Sequence, residues 1–111
     1  MLAVVKDLFF VAKIRETARL TGVPVRFVKT AEEVVAEAPG EARFALLDLT
    51  AGLDYETIFT ALELHRVPVL GFTTHALARQ TQPWHARCGR VVTKETLNAE
   101  LPELLREGIA A

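Results

Sequence analysis

The stretch Phe44–Thr50 reads FALLDLT and decides the fold, because it is apolar almost without interruption until Asp48. A strand that faces water on one side would alternate apolar and polar residues. A continuous apolar run instead indicates a strand that is buried on both faces, as in a parallel sheet. We therefore expect a central parallel strand here, with the Asp48 carboxylate at its carboxyl end.

Further apolar runs precede and follow this stretch at regular intervals. They cover Leu2 to Val5, Val23 to Val28, Val67 to Phe72 and Arg90 to Thr93. Each is short enough for a strand and too short for a buried helix. The chain is therefore expected to contribute five strands, counting the central one.

The segments between the runs carry start and stop signals of helices. Pro83 is expected to disturb the fourth helix, and Pro102 either kinks the last helix or opens its second half. Gly22 is expected to end a helix over residues 8–20, and Thr30 opens a capping box before a short helix that ends near Pro39-Gly40. The other start signals are Asp54 before residues 55–65, Thr74 before residues 75–87, and Thr96 as the start of the last helical stretch.

Alternating strands and helices of this length predict an α/β fold with right-handed crossovers. We expect one flavodoxin-like, doubly wound domain over residues 1–111. Its five parallel strands would follow the order 2-1-3-4-5, with helices on both faces of the sheet.

Composition excludes several classes of protein. The chain has 111 residues, of which half are hydrophobic and 24% charged, so it can form a packed core. Its net charge of -1 gives no sign of binding to nucleic acid or an anionic membrane. The lone Cys88 excludes an internal disulfide and a zinc site of the Cys/His type. The chain contains no serine, which excludes a serine nucleophile.

The lack of certain segments indicates where the protein is located, and the ratios of residue types indicate the kind of organism it comes from. No apolar run approaches the ~20 residues of a membrane span, and residues 1–6 do not read as a secretory signal. We therefore expect a cytoplasmic protein. Nine arginines against four lysines, together with a single asparagine, favour a heat-loving source.

Polar side chains stand where four of the five predicted strands end. Ligands of doubly wound sheets bind at the carboxyl ends of the strands, near the point where strand order reverses. Two carboxylates, a hydroxyl and one or two ammonium groups are expected to meet there in one shallow pocket. They belong to Lys6, Asp7, Asp48, Thr73 and Lys94.

This arrangement resembles the receiver domain of two-component response regulators over most of the chain, from Leu2 to Leu105. The stretches that carry the resemblance are LAVVKD at 2–7, FALLDL at 44–49, PVLGFTTH at 68–75 and CGRVVTK at 88–94. The resemblance implies that Asp48 accepts a phosphoryl group and that Asp7 and Asp48 hold Mg²⁺. It also implies that Thr73 bonds to the phosphoryl group and Lys94 pairs with it. Enzymatic activity would then be limited to self-phosphorylation from a phosphodonor.

The sequence departs from the receiver pattern at several positions. Lys6 replaces the first of two acids, Val91 an aromatic residue and Glu95 a proline, and the loop at 49–54 is short and lacks its proline. An ammonium ~4 Å from Asp48 would attract it by about 4 kcal/mol at a dielectric of ~20. Lys6 therefore either replaces magnesium or extends outward and leaves Asp7 and Asp48 to bind it. These departures favour a degenerate pseudo-receiver that acts through protein–protein contacts.

The sequence is compatible with three functions. The first is a stand-alone receiver-like signalling module, since the sequence ends at Ala111 without room for a DNA-binding output domain. The second is a pseudo-receiver that acts as an interaction domain without phosphorylation. The third is a small flavodoxin-like enzyme or a nucleotide- or flavin-binding protein, which the glycine-free loop at residues 6–9 disfavours.

A partner is expected because Leu8, Phe9 and Phe10 cannot all face the core from one helix. We expect a protein partner, with a homodimer as its simplest form, and the resemblance would place that contact at the fourth and fifth units. Cys88 is interpreted as a structural thiol and Trp84 as a core or interface residue. The three histidines, His65, His75 and His85, match no metal-ligand spacing.

Overall fold

The sheet has the predicted architecture. A computed structural model of the protein describes residues 1–109, so the end of the predicted domain, residues 110–111, lies outside the described residues. The strands all pair in parallel, in the order β2-β1-β3-β4-β5. They are β1 (Leu2–Val4), β2 (Arg26–Val28), β3 (Ala45–Asp48), β4 (Val69–Thr73) and β5 (Arg90–Thr93). The predicted flavodoxin-like α/β fold and its strand order are confirmed.

Helices cover both faces of this sheet. One face packs against α2 and α3, and the other against α1, α5 and α6. Within residues 1–109, no helix combines the length and apolarity needed to cross a membrane. The helices are α1 (Leu8–Thr21), α2 (Ala31–Glu37), a short 3-10 turn (Ala38–Gly40), α3 (Tyr55–Leu64), α4 (Ala78–His85), α5 (Lys94–Ala99) and α6 (Leu101–Glu107).

The central strand β3 supplies both layers of the core. Leu46 packs into one layer and Leu47 into the other, and both are fully buried. Successive side chains of a strand point to opposite faces, so a strand with helices on both sides must be apolar at every position. This burial explains the continuous apolar run, and it brings Asp48 to the edge where the strand leaves the core.

Three of the predicted helix boundaries are confirmed. Gly22 ends α1 in the left-handed conformation, at φ 72°. Thr30 caps α2 through a hydrogen bond from the Glu33 N–H, and Asp54 caps α3 through one from the Thr57 N–H. Thr30 and Asp54 each accept a hydrogen bond from a backbone N–H at the start of the helix, and the left-handed glycine ends α1, as the sequence predicts.

The fourth predicted helix is too long. Helix α4 begins at Ala78, because the Thr74 side chain accepts a hydrogen bond from the Leu77 N–H and closes a separate turn first. Pro83 lies inside α4, which ends two residues later at His85. A proline lacks the N–H that would bond to the preceding turn, so it shortens the helix that contains it.

The predicted start of the last helix is wrong. Helix α5 begins at Lys94, and the capping residue is Thr93, whose hydroxyl accepts from the Thr96 N–H. Thr96 therefore lies within the helix. Pro102 opens α6 near its N-terminus rather than kinking one long helix. The earlier start places Lys94 in the first turn of α5, directly after β5.

Candidate functional site

The carboxyl ends of the parallel strands present the predicted site residues at one edge of the sheet. Asp7 follows β1 as the N-cap of α1, and Asp48 is the last residue of β3. Thr73 is the last residue of β4, and Lys94 follows β5. One direct contact joins two of them, an ion pair of 3.4 Å between Lys94 Nζ and Asp7 Oδ2.

Asp7 caps α1 and pairs with a cation at the same time. Its Oδ1 accepts hydrogen bonds from the N–H groups of Phe9 at 2.9 Å and Phe10 at 3.3 Å. The Phe10 N–H, with smaller contributions from Lys94 and Phe9, lowers the pKa of Asp7 below its ordinary value. Asp7 is thus a stable carboxylate whose two oxygens already have partners.

Lys94 lies beside Asp7 and the ring of Phe10. Its Nζ is 5.4 Å from the centre of the Phe10 ring, and its side chain is half-exposed like that of Asp7. An ion pair between half-exposed side chains is weak, so Lys94 can leave Asp7 at little cost. Among residues 1–109, Lys94 makes no hydrogen bond to Asp48.

Lys6 is exposed, and in the part of the chain that the structure describes no ion pair joins it to Asp48 or Asp7. Among the described residues, Lys6 therefore does not neutralise either carboxylate through a direct contact.

Asp48 is nearly buried, at 9% exposure, and only one of its oxygens is held. Oδ1 accepts from the Thr50 N–H at 2.8 Å and from the Thr50 hydroxyl at 2.7 Å. Thr50 therefore fixes the orientation of the carboxylate, and Oδ2 accepts no hydrogen bond in the described part of the chain.

Tyr55 closes the loop that follows β3. Its hydroxyl donates to the Asp48 carbonyl oxygen at 2.7 Å and accepts from the Ala51 N–H at 2.9 Å. Burial raises the pKa of Tyr55, and the charge of Asp48 acts in the same direction. The sequence analysis missed this role, although a tyrosine on the buried side of a helix needs a partner for its hydroxyl.

Thr73 turns its hydroxyl toward α4. Its Oγ1 lies 2.9 Å from Thr81 Oγ1, which in turn lies 2.8 Å from His85 Nε2. Within residues 1–109, Thr73 makes no side-chain hydrogen bond to Asp48. Thr81 and His85 were not predicted as site residues. Their spacing of four places them on one side of a helix, which is the signal that the sequence offered.

An open pocket of about 460 Å³ lies beside the Asp7–Lys94 pair. Of the predicted site residues, it takes in these two and not Asp48 or Thr73. The four side chains therefore share an edge of the sheet without sharing this pocket. Its lining residues are Asp7, Phe9, Phe10, Lys13, Lys94, Glu95 and Asn98.

The donor chemistry at this edge fits Mg²⁺. Asp7 and Asp48 supply hard carboxylate oxygens, and Mg²⁺ is usually held by one or two carboxylates together with water and phosphate oxygens. Among residues 1–109 there is no cluster of three or more acidic, histidine or cysteine side chains that could hold a metal. A cation bound to Asp7 would compete with the Lys94 ammonium for Oδ2.

Comparison with known proteins identifies the fold. No family model matches the sequence, and no curated protein matches it. Among solved structures, the chain is similar to the receiver domain of a sensor histidine kinase from Pseudomonas aeruginosa PAO1, which holds a magnesium ion in its active site cleft. The TM-score is 0.76 at 24% identity, over 99% of this chain and 96% of that one. The protein therefore has the receiver-domain fold, as the order of its strand ends predicts.

Proposed function

We propose that the protein is a receiver-like regulatory module that acts through protein contacts, with Asp48 as its phosphoryl acceptor. The observation that carries this proposal is the free Oδ2 of Asp48 at the end of β3, in a chain with the receiver fold. A carboxylate can attack a phosphoryl group only when one oxygen is open and correctly oriented. Thr50 provides that orientation.

The transfer would form one bond and break one. Asp48 Oδ2 attacks the phosphorus of a small donor such as acetyl phosphate, and acetate leaves with the electron pair of the broken bond. Bound Mg²⁺ would offset the negative charge on the phosphoryl oxygens. Asp7 and Asp48 would hold that ion, and Lys94, once free of Asp7, can reach over the edge to pair with the phosphoryl group.

A second candidate is a pseudo-receiver that works without phosphorylation. The observation in its favour is the Asp7–Lys94 ion pair, which already offsets charge at the edge of the site. The replacement of the usual first acid by Lys6 points the same way. Both candidates act through a protein partner, and they differ in whether Asp48 is modified.

Intact-mass spectrometry after incubation with acetyl phosphate and magnesium separates the two candidates. We expect a gain of ~80 Da, the mass of one phosphoryl group, in the wild-type protein. The gain is absent in Asp48→Asn and present in Asp54→Asn, because Asn preserves the cap of α3 at that position. Folded wild-type protein that gains no mass contradicts phosphorylation and supports the pseudo-receiver.

A further inference from the structure

A chain of three polar side chains connects the end of β4 to the end of α4. We call it the relay; it consists of Thr73, Thr81 and His85. The two contacts measure 2.9 Å between the threonine oxygens and 2.8 Å between Thr81 Oγ1 and His85 Nε2. Both threonines are 4% exposed, so their hydroxyls depend on each other rather than on water.

Thr81 holds an unusual place for a hydroxyl. It is the one buried residue among the eight of α4, all of which the structure describes. The position that packs deepest on a sheet is normally leucine, isoleucine or valine. Trp84 adds a half-buried contact by stacking on Phe59, with ring centres 5.8 Å apart. The contact of α4 with β4 thus includes a hydrogen bond between the Thr81 and Thr73 hydroxyls where an apolar anchor is expected.

The Thr73 proton is occupied in the arrangements in which Thr73 is the donor to Thr81. Thr81 has one hydroxyl proton and three neighbours within reach, since its oxygen also lies 3.2 Å from the Ala78 carbonyl. When Thr81 donates to Ala78 or His85, Thr73 must donate to Thr81, and its proton is then unavailable to another acceptor. If Thr73 turns away, Thr81 keeps its other two partners. Neither arrangement leaves Thr81 unsatisfied.

We propose that Thr81 and His85 are positioning residues for Thr73, holding its hydroxyl against α4 and away from a phosphoryl group on Asp48. This inference rests on the proposed function. Thr81 supplies the partner, and His85 keeps the Thr81 side chain in the orientation that reaches Thr73. Threonine in a helix has two accessible χ1 rotamers, and the contacts of Thr81 with His85 and with the Ala78 carbonyl favour one of them.

The first test compares Thr81→Val with Thr81→Ser in the full chain. Valine has the shape of threonine without the hydroxyl, whereas serine keeps the hydroxyl. We expect the Thr73 χ1 angle, measured by three-bond NMR couplings from its methyl carbon, to change in Thr81→Val and to stay in Thr81→Ser. The reason is that a buried hydroxyl that loses its partner turns toward another acceptor.

The second readout is binding of beryllium fluoride with Mg²⁺, a mimic of the phosphoryl group. We expect the affinity to rise about five-fold in Thr81→Val, the equivalent of one net hydrogen bond. Thr81→Ser should match the wild-type protein. His85→Leu should raise this affinity by a smaller factor than Thr81→Val. His85→Gln keeps a polar nitrogen near the same place, so its affinity should match that of the wild-type protein.

Two results would overturn the inference. One is an unchanged Thr73 χ1 in Thr81→Val, and the other is an equal change of affinity in Thr81→Val and Thr81→Ser. If no form of the protein binds beryllium fluoride but χ1 changes as expected, the relay holds Thr73 and the proposed function of Asp48 fails.

Discussion

Asp7 ties the folding of α1 to the charge at the site. Its pKa is lowered, so the folded state binds fewer protons than the unfolded state in the acid range. The resulting stabilisation is fully present above the ordinary pKa of 3.8 and is lost as the pH falls through the lower value of the folded state. Acid therefore weakens the protein through this residue, together with other carboxylates whose pKa is lowered.

We expect Asp7→Asn to lose less stability than the wild-type protein between pH 5 and pH 3. Asparagine still caps α1 but cannot be protonated in this range. Urea denaturation at the two pH values measures the difference. Lys94→Met should raise the Asp7 pKa part of the way, which an NMR titration of the carboxyl carbon can follow. Equal acid sensitivity of Asp7→Asn and wild-type protein would contradict this role.

The sequence predicted where the site residues lie better than it predicted their partners. Parallel strands end at one edge, so apolar runs followed by polar residues were enough to place Asp7, Asp48, Thr73 and Lys94 there. The hydrogen bond between Thr73 and Thr81 depends on how α4 packs on the sheet. Likewise the ion pair of Lys94 with Asp7 joins residues 87 positions apart and depends on side-chain rotamers. Local patterns carry no information about either.

Strand β4 and the turn before β5 are packed too closely for a larger residue at Gly71. A methyl group added there would lie 2.8 Å from Cys88 Sγ and 3.1 Å from Leu49 Cδ1. Contacts this short force the neighbours to move. The glycine thus allows the Cys88 thiol to pack directly on the strand.

We expect Gly71→Ala to lower the free energy of unfolding by about 1–3 kcal/mol, the usual cost of overpacking a core. The loss should be smaller in a Cys88→Ala background, where the Sγ atom is gone, and urea denaturation of the four forms measures this coupling. Gly40→Ala is the matched control, because no atom lies within 4 Å of the added methyl group. An equal loss in both backgrounds would show that Cys88 is not the obstacle.

Helix boundaries show which sequence signals are sufficient. Gly22 and Asp54 act on their own helix ends, so the chain nearby determines the outcome. Thr74 and Thr96 looked equivalent, but Thr74 caps a separate turn and the hydroxyl of Thr93 caps α5 instead. A capping residue thus predicts that a backbone N–H is satisfied nearby, and not which of two adjacent turns becomes the helix.

The two-sided core of the molecule follows from the apolar runs. A strand that is apolar at every position needs cover on both faces, and the helices supply it. The same reasoning predicts surplus apolar surface, since α1 begins with three large apolar residues and buries only the third of them. Phe10 is buried, whereas Phe9 is 92% exposed and Leu8 is 68% exposed.

Leu8 and Phe9 form an apolar patch that we propose as the contact with a second copy of the chain. Full burial of one phenylalanine side chain contributes about 1.5–3 kcal/mol, and a two-fold contact buries it twice. We expect sedimentation velocity to show a species of twice the 12.3 kDa chain mass at high concentration. Phe9→Ser should raise its dissociation constant about a hundred-fold or more.

The other end of α1 offers the matched control. Leu20 is 70% exposed and lies on the last turn of the same helix, away from the patch. Leu20→Ser removes a similar apolar side chain, so it should leave the dissociation constant unchanged if the contact is specific to Leu8 and Phe9. An equal effect of the two substitutions on the dissociation constant would indicate non-specific association through exposed apolar side chains. Wild-type protein that remains a monomer at every concentration would contradict the dimer.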